Sequence, residues 1–348
     1  MSVIRKLTAA ALGAAMAIAG STAAWAAEYE FKLHHFLSPK APAHRLMLEP
    51  WAQSVMDASG GRIAIEIFPS MTLGGKPPQL PRQVRDGVVD IAWIVNAYAA
   101  GQFPRTEVFE LPGVHQGSSA AVNMAMETMY DGELGKDFKG VVALFQHVHG
   151  GQAIHMADEM VRSPADLAGK KIRIPSRTGS WVVEALGANP VKTSVGEIPT
   201  ALAKKVVDGA LIPFEIIPPL KIHEQTKFQI EGPGGKRLGT TSFSVIMNED
   251  RWNGLPDDIR KIFEDASGRD WHAKVGDIWD GAEAFGIKMA TDSGNEHVQL
   301  SDEEWAAFEA AVAPVVERWI TEMGEKGIDG QALYDQAVEL VSKNMMSN

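Results

Sequence analysis

The chain has 348 residues, of which 44 are acidic and 33 are basic, and its formal net charge at pH 7 is −11. This acidic balance argues against nucleic acids and anionic membranes as partners. The chain contains no cysteine, which excludes disulfide bonds, thiolate metal sites and cysteine nucleophiles. A chain of this length can bury a large apolar core, and we expect two lobes instead of a single domain.

Residues 1–26 have the pattern of a secretory signal peptide. Arg5 and Lys6 precede an apolar stretch at residues 7–20, and Ala24 and Ala26 mark a cleavage site. No later stretch reaches the roughly 18 to 20 consecutive apolar residues that a membrane-spanning helix needs. We therefore predict that the mature chain is exported from the cytoplasm and contains no membrane span.

The first part of the mature chain alternates between predicted strands and helices. Strands are expected at residues 30–36, 62–68 and 90–95, with a helix ending at Ala58 and a short helix before the third strand. A strand, a helix and a second strand in this order are typical of neighbouring parallel strands. The sequence therefore predicts an α/β fold with a parallel sheet.

Two local patterns indicate how the middle of the chain is organised. The tripeptide Val-Val-Asp occurs at residues 88–90 and again at 206–208, each time between a predicted helix and a predicted strand. Two similar lobes would produce this repetition, although so short a match also arises by chance. Residues 163–166, Ser-Pro-Ala-Asp, combine an N-cap, a proline and an acidic residue, which predicts the start of a helix.

Arg173 is the strongest candidate for a ligand-binding residue. Alternation along the predicted strand at residues 169–176 places Ile172 and Ile174 on the core side and Arg173 on the other, and Pro175 ends the strand. Ligands of such folds bind at the carboxyl ends of strands, near helix N-termini. A guanidinium there favours a carboxylate, which it can bind through two parallel hydrogen bonds. An ordinary ion pair at a strand end is the alternative.

The last third of the chain is predicted to be helical. Residues 256–288 lack proline and show helical spacing, and a helix of about 30 residues would be about 45 Å long. Such a helix can run from one lobe onto the other. A capping box at residues 301–304 opens a further helix toward the C-terminus.

Several other polar side chains are weaker candidates. Asn96 can donate a hydrogen bond, Arg177 can add positive charge, and Glu215 can accept from a ligand hydroxyl or ammonium. A turn position for Asn96 and a surface position for Arg177 are the alternatives. His147 and His149 could suit a metal, but no clustered third ligand follows, so neither a metal site nor a cofactor is predicted.

A secreted enzyme acting on a small organic acid is the competing hypothesis. The sequence has no Gly-x-Ser-x-Gly, no His-Glu-x-x-His and no glycine-rich phosphate fingerprint. Scattered carboxylates could still carry out acid–base catalysis without a recognisable motif. We therefore predict a binding protein and no enzyme, and turnover of candidate ligands would distinguish the two.

Several short segments, taken together, resemble the solute-binding proteins of tripartite ATP-independent periplasmic (TRAP) transporters, the DctP family, over nearly all of the mature sequence. These segments are residues 31–36, 68–75, 89–92, 103–105, 167–173 and 207–209. The resemblance implies a two-lobed periplasmic-binding-protein (Venus-flytrap) fold with crossing strands and a long lobe-spanning helix. It also implies a periplasmic monomer that closes over a small organic carboxylate and delivers it to the small and large membrane subunits.

The resemblance also bears on the site residues. In that family the arginine at the Arg173 position typically grips the ligand carboxylate. Many relatives carry asparagine just before Pro213, where this chain has Ile212, and a second arginine of some sugar-acid binders gives way to Gln152 or His155. These departures favour an apolar, 2-oxo or aromatic monocarboxylate, with a sulfonate or a sugar acid as the alternative.

The expected pocket walls and lobe boundaries complete these predictions. Aromatic side chains near strand ends are expected to form the walls, with plain core positions as the alternative; they are Trp93, Phe214, Phe36 and Phe243. One lobe is expected to comprise residues 27–151 and 238–275, and the other residues 152–237 and 276–348. Hinges are expected near Gly151 and at residues 235–240.

Overall fold

The computed structural model describes residues 27–99 and 101–346, so the predicted signal peptide lies outside the described residues. No helix in this part of the chain is long and apolar enough to cross a membrane. In chain order the strands are β1 (Tyr29–His34), β2 (Ile63–Phe68), β3 (Ile91–Val95), β4 (Val141–Val148), β5 (Ala153–Met156), β6 (Lys171–Ile174), β7 (Asn189–Lys192), β8 (Gly209–Ile212), β9 (Phe228–Glu231), β10 (Ser242–Asn248) and β11 (Glu296–Gln299).

Helices cover the sheets and form most of the C-terminal part. They are α1 (Glu49–Ala58), α2 (Leu80–Arg85), α3 (Ser119–Tyr130), α4 (Arg177–Ala185), α5 (Ile198–Ala203), α6 (Ile217–Leu220), α7 (Glu249–Asn253), α8 (Asp257–Ala266), α9 (Arg269–Asp292), α10 (Asp302–Val312), α11 (Pro314–Glu325) and α12 (Gly330–Met346).

The first sheet has the strand order β2-β1-β3-β10-β4. Strand β1 runs parallel to β2 and to β3, as the strand–helix–strand pattern predicts. The side chains of Phe31 and Leu33 are buried while Lys32 between them is exposed, which is the alternation of a strand with one face on the core. Strand β10 comes from late in the chain and inserts antiparallel between β3 and β4.

The second sheet has the order β11-β9-β5-β8-β6-β7. Strand β6, which carries Arg173, runs parallel to β7 and β8, while β5 pairs antiparallel with β8 and β9. Arg173 lies opposite Val191 on one side and Ala210 on the other. The predicted strand, its end at Pro175 and the helix that follows are all present.

The repeated Val-Val-Asp tripeptide makes the same bond in both sheets. Oδ2 of Asp90 accepts a hydrogen bond from the backbone N–H of Lys32 in β1 at 2.8 Å. Oδ2 of Asp208 accepts one from the backbone N–H of Lys171 in β6, also at 2.8 Å. Each aspartate thus ties the entry of one strand to the strand that runs parallel to it, which supports the prediction of two similarly built lobes.

Two helical predictions need correction. The predicted continuous helix at residues 256–288 is two helices, α8 and α9, because the chain leaves the helical conformation at Ser267 and Gly268. Helix α9 alone has 24 residues, which corresponds to about 36 Å. The predicted helix starting at residues 163–166 is a single 3₁₀ turn, Pro164–Leu167, which has the expected capping box and ends before Gly169.

Helix α9 reaches both lobes and depends on two glycines to do so. A Cβ on Gly276 would lie 2.2 Å from Cα of Ala120 in α3. A Cβ on Gly286 would lie 2.0 Å from the carbonyl oxygen of Phe214, which follows the second sheet. The helix therefore packs directly on backbone at both places, as the expectation of a lobe-spanning helix requires.

Two extended segments cross between the sheets beside each other. Residues 149–152 join β4 to β5, and residues 232–241 join β9 to β10. The N–H of Gln152 donates to the carbonyl of Gly239 at 2.8 Å, and the N–H of Leu238 donates to the carbonyl of Gln152 at 3.1 Å. The predicted hinge positions lie in these crossing segments, while the predicted lobe boundaries stay a prediction.

Candidate ligand-binding site

A cavity of about 40 Å³ lies between the two sheets. Its lining is mostly apolar with a few placed polar groups, which is the composition of small-molecule sites. Strands β3 and β10 contribute from the first sheet, β6 and β8 from the second, and helix α9 closes one side. Seven of the side chains predicted for the site line it: Arg173, Trp93, Ile212, Gln152, Phe36, Glu215 and Phe243.

The guanidinium of Arg173 is held by oxygen atoms from three elements. Its Nε and one terminal nitrogen donate to the carbonyl of Thr193 at 3.1 and 3.0 Å. The remaining hydrogen bonds go to the carbonyl of Leu211 at 3.3 Å and to the hydroxyl of Tyr98 at 3.3 Å. This hydroxyl also accepts from the N–H of Val195 at 2.9 Å. Together these bonds fix the position of the Arg173 guanidinium.

Every one of these partners is electrically neutral. Arg173 is only 2% exposed, and burial lowers the pKa of its guanidinium. No carboxylate in the described part of the chain forms an ion pair with it, so the alternative of an ordinary strand-end ion pair does not apply. A buried cation without a counter-ion is unfavourable, and an anionic ligand would provide one.

Aromatic rings form one wall of the cavity. Phe36 stacks on Trp93 with ring centroids 4.7 Å apart and an angle of 9° between the ring planes. Trp93, Phe243 and Trp279 are mutually near-parallel, with interplanar angles between 13° and 21°. His147 stacks within this group, and its Nε2 accepts from the indole N–H of Trp93 at 2.9 Å. A flat apolar group can pack against such a wall.

Polar groups occupy a second region of the cavity lining. His149 accepts from the backbone N–H of Gly151 at 3.0 Å through Nδ1, and burial holds the pKa of this imidazole well below its usual range. The side-chain amide of Gln152 lies 3.2 Å from Nε2 of His149 and 2.7 Å from the hydroxyl of Thr241. These residues share no hydrogen bond with the group around Arg173.

Four predicted site residues lie outside the cavity lining. Asn96 bonds Ser242 and Ser244 of β10, while Arg177 forms a two-pronged pair with Glu107 and also contacts Glu322. The ring of Phe214 packs edge-on against His155, with centroids 4.9 Å apart, and both are fully buried behind the cavity. These four residues, Asn96, Arg177, Phe214 and His155, therefore do not line this cavity, and their contact with a ligand stays a prediction.

The two histidines considered for a metal have other partners. His147 bonds Trp93, and His149 bonds Gly151 as described above. Residues 27–99 and 101–346 contain no group of three histidine, aspartate or glutamate side chains placed to hold a metal ion.

Comparisons with known proteins decide the family. The profile of the bacterial extracellular solute-binding protein family 7, DctP, matches residues 33–322. The chain belongs to this DctP family. A C4-dicarboxylate-binding periplasmic protein, DctP, of Rhodobacter capsulatus is 27% identical over 337 residues, which cover 93% of this chain and 96% of that protein.

Solved structures of TRAP solute-binding proteins share the fold. One from a marine metagenome, specific for aromatic acids and crystallised with 3-hydroxybenzoate, is 37% identical, with a TM-score of 0.87 over 90% of this chain and 98% of that chain. One from Rhodoferax ferrireducens with copurified benzoate is 36% identical, with a TM-score of 0.88 over 91% and 99%. The predicted TRAP solute-binding family, the two-lobed fold and the role in transport are confirmed.

Tyr98 and Trp279 are two of the residues of this DctP-family site that sequence reasoning missed. Tyr98 bonds the guanidinium of Arg173, and its position just after strand β3 was a usable signal. Trp279 lines the cavity from the middle of α9. Nothing in the helical spacing separates it from an ordinary core tryptophan, so no signal was available for it.

A buried carboxyl group connects the two lobes of the DctP-family fold near the site. Glu110 accepts from the N–H and hydroxyl of Ser242 on β10 at 3.1 and 2.8 Å. Its other oxygen accepts from the hydroxyl of Thr178 on α4 at 3.0 Å. Burial, with a smaller effect of the neighbouring Glu107, raises the pKa of Glu110 from 4.5 to about 7.

We expect Glu110→Gln to flatten the dependence of stability on pH. Because the pKa of Glu110 is raised in the folded state, the folded protein binds more protons at this group than the unfolded protein does. The contribution of Glu110 to the free energy of unfolding is therefore greatest below about pH 4.5 and is lost as pH rises through about 7. The full change is about 3 kcal/mol. The amide keeps acceptor and donor positions but does not titrate. The measurement is the urea unfolding free energy between about pH 5 and 8, with exposed Glu303→Gln as control, and equal pH slopes for Glu110→Gln and the unaltered protein would contradict the assignment.

Proposed function

We propose that this DctP-family protein binds an aromatic monocarboxylate in the interlobe cavity for uptake by a TRAP transporter. The observation that carries the proposal is Arg173, a buried guanidinium whose protein partners are all neutral and which lines the same cavity as the aromatic wall. The guanidinium would bind the carboxylate, and the stacked rings would bind the flat apolar part of the ligand.

Within the predicted class of apolar, 2-oxo and aromatic acids, two observations favour the aromatic members. The near-parallel rings of Phe36, Trp93, Phe243 and Trp279 offer flat faces, which aliphatic chains would use poorly. Two related structures at 36% and 37% identity contain benzoate and 3-hydroxybenzoate. Ile212 supports the same choice, since a sugar hydroxyl beside its aliphatic side chain would lose a water partner without replacement.

The finer features of the transport role are proposals too. We infer that residues 1–26 direct export and are removed, and that the protein acts in the periplasm as a monomer without enzymatic activity or cofactor. It would pass its ligand to the small and large TRAP membrane subunits. The lobes would be residues 27–151 with 238–275 and residues 152–237 with 276–348, closing about the two crossing segments.

A panel of small acids tests the ligand class. We expect benzoate and phenylacetate to raise the unfolding temperature and to bind in calorimetry, with hexuronates weaker by about 10-fold or more. Methyl benzoate, which keeps the ring but has no charge, should show no binding because Arg173 would then stay without a counter-ion. Benzenesulfonate serves as a second anion with the same ring.

Three outcomes would contradict the proposal. Tight binding of a hexuronate with benzoate inert would assign the cavity to sugar acids, and preference for benzenesulfonate over benzoate would assign it to sulfonates. Conversion of a candidate acid to a product, detected by mass spectrometry after long incubation, would favour the secreted enzyme.

A further inference from the structure

The carboxyl group of Glu215 lies in the cavity lining without a protein partner for one of its oxygens. Glu215 follows β8 in the 3₁₀ turn Phe214–Ile216 and is 4% exposed. Its Oε2 has no hydrogen-bond partner among the described residues. Buried polar atoms are normally bonded, so a partner for this oxygen is expected to come from the cavity.

The surroundings of Glu215 decide its charge. Its backbone N–H donates to Oε1 of Glu283 at 2.8 Å, and Glu283 is paired with Arg237, which also pairs with Glu231. Burial and the neighbouring Glu283 hold the pKa of Glu215 well above its usual range. A neutral carboxyl group has an O–H donor and a carbonyl acceptor. It can therefore bond a group that is itself both donor and acceptor.

The amide of Gln152 provides a second polar group near Glu215. Ala153, the next residue, lies opposite Ile212 in the β5–β8 pair, so Gln152 lies beside the start of the turn that carries Glu215. The side chain of Glu283 contacts both segments. Its Oε1 accepts from the N–H of Glu215, and its Cγ lies 2.5 Å from the position that a Cβ on Gly150 would occupy. Gln152 and Glu215 therefore border the same part of the cavity.

The neighbours of Gln152 fix which end of its amide is available to a ligand. The amide nitrogen of Gln152 lies 3.2 Å from Nε2 of His149 and donates to the hydroxyl oxygen of Thr241 at 2.7 Å. The amide oxygen, Oε1, has no hydrogen-bond partner among the described residues. This acceptor is therefore the end of the amide that is available to a ligand.

We propose that Glu215 and Gln152 together bind a hydroxyl substituent on the ring of the ligand, so that the preferred substrates are hydroxy-substituted aromatic acids. The inference rests on the proposed function, because Arg173 must hold the carboxylate for the ring to reach this region. A phenolic hydroxyl donates one hydrogen bond and accepts another, so it can donate to the amide oxygen of Gln152 and accept from the O–H of a neutral Glu215 carboxyl group.

Matched ligand pairs test the inference by calorimetry. The pairs are 3-hydroxybenzoate with 3-methylbenzoate and 4-hydroxybenzoate with 4-methylbenzoate, in which the substituents are similar in size and differ in hydrogen bonding. We expect one hydroxy compound to bind at least about 10-fold more tightly than its methyl partner. In Glu215→Leu this ratio should fall to about 1, and Glu215→Gln, which keeps a donor and an acceptor, should preserve most of it.

Each alternative result has a defined meaning. A hydroxy-to-methyl ratio near 1 in the unaltered protein, or one unchanged in Glu215→Leu, would overturn the inference while leaving benzoate binding intact. A preference for 3-(aminomethyl)benzoate that disappears in Glu215→Gln would assign Glu215 to an ammonium instead. If none of the benzoates bind, the proposed function itself fails. Glu215→Met gives the same comparison if the leucine variant does not fold.

Discussion

Replacement of Arg173 by alanine is expected to weaken binding of benzoate by roughly 30-fold to several-thousand-fold, because loss of one partner of a desolvated charge pair costs about 2 to 5 kcal/mol. The effect should be large here because no other cation lines the cavity in the described residues. Arg173→Lys should bind better than alanine but still poorly. A single ammonium cannot reproduce the planar guanidinium, whose terminal nitrogens donate to the carbonyls of Thr193 and Leu211 while still facing the cavity.

The control for this prediction removes the same charge from the surface. Arg82 has an 81% exposed side chain, so Arg82→Ala changes net charge without touching the cavity and should leave the dissociation constant unchanged. Melting temperatures of all variants establish that they are folded. Unaltered affinity in a folded Arg173→Ala protein would show that the anion is held elsewhere.

Replacement of Gly239 by alanine is expected to lower the free energy of unfolding by about 3 kcal/mol or more. Gly239 has a φ of +90°, which L-residues rarely adopt. Its Cβ would also lie 2.4 Å from the carbonyl oxygen of Glu110, a backbone atom that cannot move aside alone. Because the carbonyl of Gly239 accepts from Gln152, the distortion should reach the paired crossing segments and weaken ligand binding as well.

Gly294 separates the two causes of this effect. It has the same φ of +90° but open space where a Cβ would lie, so Gly294→Ala should cost only the conformational penalty of about 1 to 2 kcal/mol. Urea unfolding of both variants measures the difference. Equal losses at Gly239 and Gly294 would mean that contact with Glu110 contributes nothing and that the crossing segment adjusts freely.

Where local patterns control the structure, the sequence predicts it well. Alternation in β1 and β6 and the proline that ends β6 act within a few residues of themselves, and their consequences are present. The break between α8 and α9 also had a local signal, because Gly268 is a poor helix residue and serves as the N-cap of α9. The absence of proline from residues 256–288 is not enough to predict one continuous helix.

The parts that could not be predicted depend on contacts between distant segments. Arg173 is recognisable in the sequence, but its partners Tyr98, Thr193 and Leu211 come from three other elements. Phe214 was expected in the cavity on the rule that aromatic side chains near strand ends form its walls. It follows Pro213 in a 3₁₀ turn, where that rule no longer holds, and the turn buries Phe214 and leaves Glu215 in the cavity lining.

Gln152 belongs both to the cavity lining and to one of the two crossing segments. Its side chain borders the cavity, while its backbone N–H and carbonyl form the two hydrogen bonds that join the crossing segments. A ligand that contacts this amide would act directly on a segment that we predict to be a hinge. Differences in affinity between ligands would then translate into different populations of open and closed protein, so that a poorly matched acid could be bound and yet not presented for transport.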